Sequence, residues 1–131
     1  MNLGLPNILL VFLGGGFGAV LRYLVGVTWV RTMGAERPWM ATAIINVTGS
    51  LLMGLLIGAL ARATGASDRW RLLLGVGVLG GYTTFSSFSL EAVMMIERKA
   101  YGVAAAYILG SVVCGVLGLM LGLFIMRRLP V

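Results

Sequence analysis

A few polar side chains interrupt long apolar runs, and the amide of Asn46 asks most of its surroundings. It lies in the uncharged stretch from Trp39 to Ala61, where hydrocarbon would offer it no hydrogen-bond partner. Thr42, Asn46 and Gly49 fall at i, i+4 and i+7, on one face of a helix. Tyr107 and Ser111 stand one turn apart in a later run, and Phe85 and Phe88 share a face at i and i+3. Amide N–H, hydroxyl and phenol groups are donors, Arg22 adds a positive charge, and no acid occupies the centre of the second or fourth run. Such an inventory favours a small anion over a cation. Phenyl rings suit an anion because their edges are electropositive, whereas a cation would meet their faces. Each group also has a structural use, since aromatics pack and Ser and Thr bond back to their own helix.

Other chemistries are poorly supplied. The chain has no histidine, four acids and one cysteine, Cys114, so metal sites and nucleophile–base pairs are not expected. One cysteine also rules out an intrachain disulfide. The net charge of +6 is scattered over helix ends and loops, without the clustered stripe of a nucleic-acid binder. Gly14-Gly15-Gly16-Phe17-Gly18 is not a dinucleotide fingerprint, having neither a preceding strand nor an acid some 20 residues on.

The runs that carry these residues have the length and composition of membrane helices. Apolar residues make up 60% of 131 and charged ones 11%, with mean hydropathy +1.02, against about a quarter charged in soluble domains. A bilayer core of ~30 Å needs about 20 apolar residues of helix. Four stretches qualify, at approximately 4–30, 39–61, 72–96 and 101–126, in a single domain spanning 1–131. The first begins at Leu3; Pro38 suits the first turn of the second. The loop from Arg62 to Arg71 contains Gly65, Asp68 and Trp70, an interfacial anchor. Glu97-Arg98-Lys99 closes the third span, and Arg127, Arg128 and Pro130 stop the fourth. No basic residue precedes Arg22, so a cleaved signal segment is not expected.

The third span is unusual. Gly75, Gly77, Gly80 and Gly81 run directly into Tyr82-Thr83-Thr84-Phe85-Ser86-Ser87-Phe88-Ser89, a poor recipe for a continuous helix. A break near its middle is expected, of the kind that presents backbone groups to ions; a straight, tightly packed glycine-rich helix is the alternative. Gly14/Gly18, Gly54/Gly58 and Gly118/Gly122 recur at four-residue spacing, which lets helix backbones approach closely.

Two charges stand out. Arg22, eight residues before the expected helix end, either snorkels to the interface, because a central arginine costs at least ~2.5 kcal/mol, or draws an anion toward a vestibule. Glu91 has no partner assignable from sequence. Arg62, Arg69, Arg71, Arg127 and Arg128 share one side with both termini; Arg31, Arg37, Arg98 and Lys99 lie opposite, with Arg22 able to join them. So even a balance gives the positive-inside rule little to act on, and dual topology is expected; a single orientation fixed by other features is the alternative.

Taken in order, Gly15-Gly16-x-Gly18-Ala19-x-x-Arg22-Tyr23, Thr42-x-x-x-Asn46-x-x-Gly49-Ser50-x-x-x-Gly54, Gly77-x-x-Gly80-Gly81-Tyr82-Thr83-Thr84-Phe85-Ser86-Ser87-Phe88 and Tyr107-x-x-x-Ser111 closely resemble the signatures of the Fluc/CrcB-type fluoride channels. The likeness covers essentially the whole chain. It implies an all-α membrane protein of the bacterial inner membrane, assembled as an antiparallel dual-topology homodimer with two fluoride pathways. It implies that Asn46, Phe85, Phe88, Tyr107, Ser111 and Thr42 line the pore and that Arg22 stands near its aqueous mouth. It also implies that carbonyls at Gly80 and Thr83 hold a structural sodium ion at the dimer centre. Passive export of cytoplasmic fluoride is the implied activity; the partners are a second copy, fluoride and membrane lipid, with no nucleic acid. A small multidrug exporter would need a membrane-embedded acid in its first span, which is lacking here. An assembly subunit without transport would leave Asn46, Phe85 and Tyr107 freely replaceable.

Overall fold

The structure, a computed structural model, describes residues 4–63 and 68–129; Leu3, Gly65 and Pro130 lie outside them. Four spans are present among the described residues. The first is α1 (Leu5–Met33) and the second α2 (Pro38–Arg62). The third has two halves: α3, numbers 68–82, joins Asp68–Trp70, Arg71–Leu79 and Gly80–Tyr82, and α4 is Phe85–Glu97. The last is α5 (Tyr101–Arg128).

Helix ends follow local chemistry, and in places extend past the apolar runs. α1 continues through Arg31 to Met33 and stops where Gly34 adopts φ 86°, its N–H donating to Val30 O. A left-handed conformation there suits a residue without Cβ. Pro38 opens α2. Asp68 and Trp70, expected in a loop, instead form the first turn of α3, where the acid faces the positive end of the helix dipole. Arg127 and Arg128 extend α5 by two residues at its negative end. At the end of α4, Lys99 N–H donates to Ile96 O (2.9 Å), and Ala100 N–H to Met95 O (2.9 Å), with Lys99 at φ 59°. This paired 5→2 and 6→1 closure satisfies the last carbonyls, here with lysine in the position glycine usually takes.

The third span is broken, as its composition predicts. Arg71–Leu79 has wide i→i+5 turns, a rare geometry that accompanies functional irregularities. Thr83 (φ −78°, ψ 157°) and Thr84 (φ −149°, ψ 121°) are then extended, and the helix restarts at Phe85. This span is the least hydropathic of the four and the most buried, so polar content and protein surroundings go together.

Glycine determines which helices touch. α1 lies along α3: a Cβ on Gly14 would meet the Leu73 carbonyl and come within 3.0 Å of Gly77 Cα, and one on Gly18 would fall on the Val78 carbonyl. α2 lies along α5, with Gly54 against Leu119 and Gly122, and Gly122 against the Leu51 carbonyl. Without side chains at these positions backbones approach closely, as the small-residue spacing predicts. The half-helix α4 then packs on α5, burying Phe88, Ala92, Met95, Ala104 and Tyr107 together.

Candidate functional site

The break creates the site. Ending a helix at Tyr82 leaves backbone groups without helical partners, and an unpaired group in hydrocarbon costs several kcal/mol. Asn46, on the facing wall of α2, answers this. Its Oδ1 accepts from Thr84 N–H at 2.8 Å, and its Nδ2 donates to Thr84 O at 3.0 Å. One side-chain amide thus pairs with both polar groups of a single extended residue. Thr84 Oγ1 accepts from Ser87 N–H (3.2 Å) and caps α4. On the other side, Thr83 N–H and Oγ1 both donate to Leu79 O (3.0 and 2.9 Å). Gly49 keeps α2 close: a Cβ there would meet Thr83 Cγ2 and the Tyr82 ring.

A second cluster lies one turn away on each helix. Glu91 accepts from Thr42 Oγ1 at 2.8 Å through Oε1 and from the Tyr107 hydroxyl at 2.6 Å through Oε2. Two hydroxyl groups thus converge on one carboxyl group. The acid whose partner sequence left unassigned is therefore held by α2 and α5 together. Thr42 and Tyr107, expected as donors to an ion, give these hydroxyl hydrogens to Glu91. The missed signal is periodicity: Glu91 continues the i, i+3 series begun by Phe85 and Phe88.

Rings join the two clusters. Phe85 and Phe88 centroids are 5.8 Å apart, Phe88 and Tyr107 5.1 Å, and Tyr107 meets Trp39 edge to face at 5.4 Å. Phe88 and Tyr107 are buried, while Phe85 is 79% exposed on the single chain.

Asn46, Phe85, Phe88 and Ser111 line a cavity of about 320 Å³ that also reaches Thr83 and Thr84. Ser111 Oγ is buried with no hydrogen-bond partner. Asn46 carries two amide hydrogens, one of which goes to Thr84 O, so the cavity holds spare donor capacity. Thr42 and Arg22 belong to a separate cavity of about 460 Å³, which shares Thr84 with the first and includes Arg31 and Ser87. Arg22 is half-buried there, just past the middle of α1. Gly80 lies in neither; it occupies the last turn before the break.

Donor-lined hollows beside an aromatic series can replace the water around a small anion; among the described residues no three His, Cys, Asp or Glu side chains converge to hold a metal. Comparison with known proteins gives the arrangement its context. A family model described as "CrcB-like protein, Camphor Resistance (CrcB)" matches residues 9–123. A "Fluoride-specific ion channel FluC" of Phenylobacterium zucineum (strain HLK1) is 55% identical over 122 residues, covering 92% of this chain and 95% of the relative. Proteins of the same name from Novosphingobium aromaticivorans and Caulobacter sp. (strain K31) are 56% identical over 119 residues and 51% over 126. They cover 89% and 95% of this chain, and 93% and 98% of their own lengths.

Proposed function

The chain belongs to the CrcB/FluC family of fluoride channels, and from that premise we propose that it is a passive, selective fluoride channel working as an antiparallel homodimer, with two pathways at the seam between copies. It is a multi-pass protein of the inner membrane and not an enzyme. The observation that carries the reading is the buried, unpartnered Ser111 hydroxyl on the same cavity as Asn46 and the protruding Phe85 ring. Fluoride is small and strongly hydrated, so a path must offer donors in steps of moderate strength, none too deep to leave. Asn46, Ser111 and the edges of Phe85 and Phe88 supply such steps. Tyr107 and Thr42 flank this track, their hydroxyl hydrogens held by Glu91, and Arg22 raises the local anion concentration at the mouth. The exposed Phe85 ring supports a second copy at that face, since one chain leaves the cavity's aromatic side uncovered.

A structural sodium ion at the centre of the pair belongs to the same reading. In an unbroken helix the Gly80 and Thr83 carbonyls would accept from Thr84 and Ser87 N–H. Those amides donate instead to Asn46 Oδ1 and Thr84 Oγ1. Carbonyl oxygens released this way suit a hard monovalent cation, so Gly80 and Thr83 fit the role of ligands, and the ion would tie the two breaks together. A proton-coupled exporter of organic cations fits less well, because the Glu91 carboxylate is engaged by two hydroxyl donors.

The test is fluoride efflux from liposomes, with chloride as control. Rapid fluoride loss with little chloride loss is expected, and Phe85→Ile should cut it several-fold while leaving the assembled protein intact. Ser111→Ala is the cleaner donor probe, because Ser111 supports no other group. Asn46→Asp would place a carboxylate oxygen against Thr84 O as well as in an anion's path. Full flux in both Phe85→Ile and Ser111→Ala would place the pathway elsewhere.

A further inference from the structure

Away from the polar track, the ends of α2 and α5 enclose a hollow of a different character. A cavity of about 480 Å³ is lined by Ile57, Gly58, Ala61, Arg62, Leu123 and Arg127. Its wall is hydrocarbon, two of its residues are guanidinium cations, and none of the six is acidic. Arg62 donates through Nη1 to the main-chain carbonyl of Met126, which ties the guanidinium to the last turns of α5. An arginine has five N–H donors in a fixed fork, so this bond leaves others for a second acceptor. Arg128 stands over the Phe124 ring, 5.0 Å from its centroid, and adds a third cation beside the same helix end. Both helices finish here, at the level where hydrocarbon gives way to headgroups.

The geometry points to a site for one anionic phospholipid, its phosphate between Arg62 and Arg127 and an acyl chain against Ile57 and Leu123. Charge and wall chemistry together select this occupant. A free phosphate would use the guanidinium groups and leave the apolar wall unfilled; a zwitterionic lipid would fill the wall but bring its own cation to the arginines. Basic pockets between transmembrane helices recognise anionic headgroups in this way. The site lies at the far end of α2 from Thr42 and does not depend on the route of fluoride.

Delipidated full-length protein in detergent, offered phosphatidylglycerol and phosphatidylcholine in equal amounts and read by native mass spectrometry, tests it. Wild type should retain phosphatidylglycerol in preference. Arg127→Gln, which keeps the Arg62–Met126 bond, should lower that retention about fivefold, the worth of one basic residue near an anionic surface. Arg98→Gln, at the opposite end of the bundle, should leave it unchanged, and excess inorganic phosphate should not displace the lipid. Equal retention of the two lipids would overturn the proposal. So would an unchanged Arg127→Gln variant, an equal fall in Arg98→Gln, or displacement by phosphate.

Discussion

The glycine crossings and the break in the third span bring backbone close to its surroundings by opposite means. Along α1–α3 and α2–α5, side chains are removed: Gly14, Gly18, Gly54 and Gly122 face main-chain atoms directly. At Thr83–Thr84 the helix is opened, and a side chain is brought in: the Asn46 amide takes the N–H and C=O of Thr84 together. The first arrangement rests on close contact and calls on no side-chain partner. The second depends on one residue, and it is where spare donors collect. Packing and polar pairing can therefore be broken separately.

Asn46→Leu should have the largest effect. It strands both polar groups of Thr84, each costing ~1–3 kcal/mol when buried without a partner, for a total of roughly 2–6 kcal/mol. Thermal unfolding in detergent, followed by circular dichroism, should show it as a large drop in melting temperature. Gly18→Ala comes next: its Cβ would lie 2.8 Å from Tyr82 N and 2.9 Å from Val78 C, atoms that cannot swing aside. Overpacking of this kind costs ~1–3 kcal/mol. If Gly18→Ala proves the more damaging of the two, the backbone at the break is satisfied without Asn46, and the contrast fails.

How much of this was legible beforehand follows the same division. Glycine spacing and hydrophobic length are local patterns, so four spans, helix faces able to pack closely and the break at Gly80–Thr84 could be read from the chain. Asn46 was legible as a residue in need of partners, but not that its partner is main chain on another span, 38 positions away. Glu91 shows the limit more plainly. Its bonds to Thr42 and Tyr107 cross 49 and 16 positions, and no local pattern encodes which helix faces which. The helix ends at Met33 and Arg128 were missed because charged residues end an apolar run without ending a helix.

Thr84→Ala should have a smaller effect, because it removes one cap and leaves the Asn46 bonds to the main chain in place. Loss of a threonine N-cap costs about 1 kcal/mol. Thr84 Oγ1 also pairs with Ser87 Oγ at 3.1 Å, so Thr84→Ser, which keeps an acceptor in position, should recover most of the loss in the same melting experiment. Failure of serine to recover it would mean that the threonine methyl group, and not the cap, holds α4.

Gly16→Ala should have the smallest effect and the opposite sign. Gly16 lies two residues before Gly18 on α1, yet a Cβ there meets nothing within 4 Å, whereas one on Gly18 strikes the backbone of α3. In an exposed helix interior, alanine exceeds glycine by about 0.5–1 kcal/mol, since it loses less conformational freedom on folding. Gly16→Ala should therefore raise the melting temperature slightly while Gly18→Ala lowers it, two methyl groups on opposite sides of one helical turn acting in opposite directions. A fall for Gly16→Ala as well would mean either that this side of α1 is covered when the protein assembles or that α1 itself requires glycine there. Measuring the variant on cross-linked dimers and on dilute single chains would separate the cases: a penalty confined to the dimer identifies a second copy as the cover, and a penalty in both identifies an intrinsic demand of α1 for glycine.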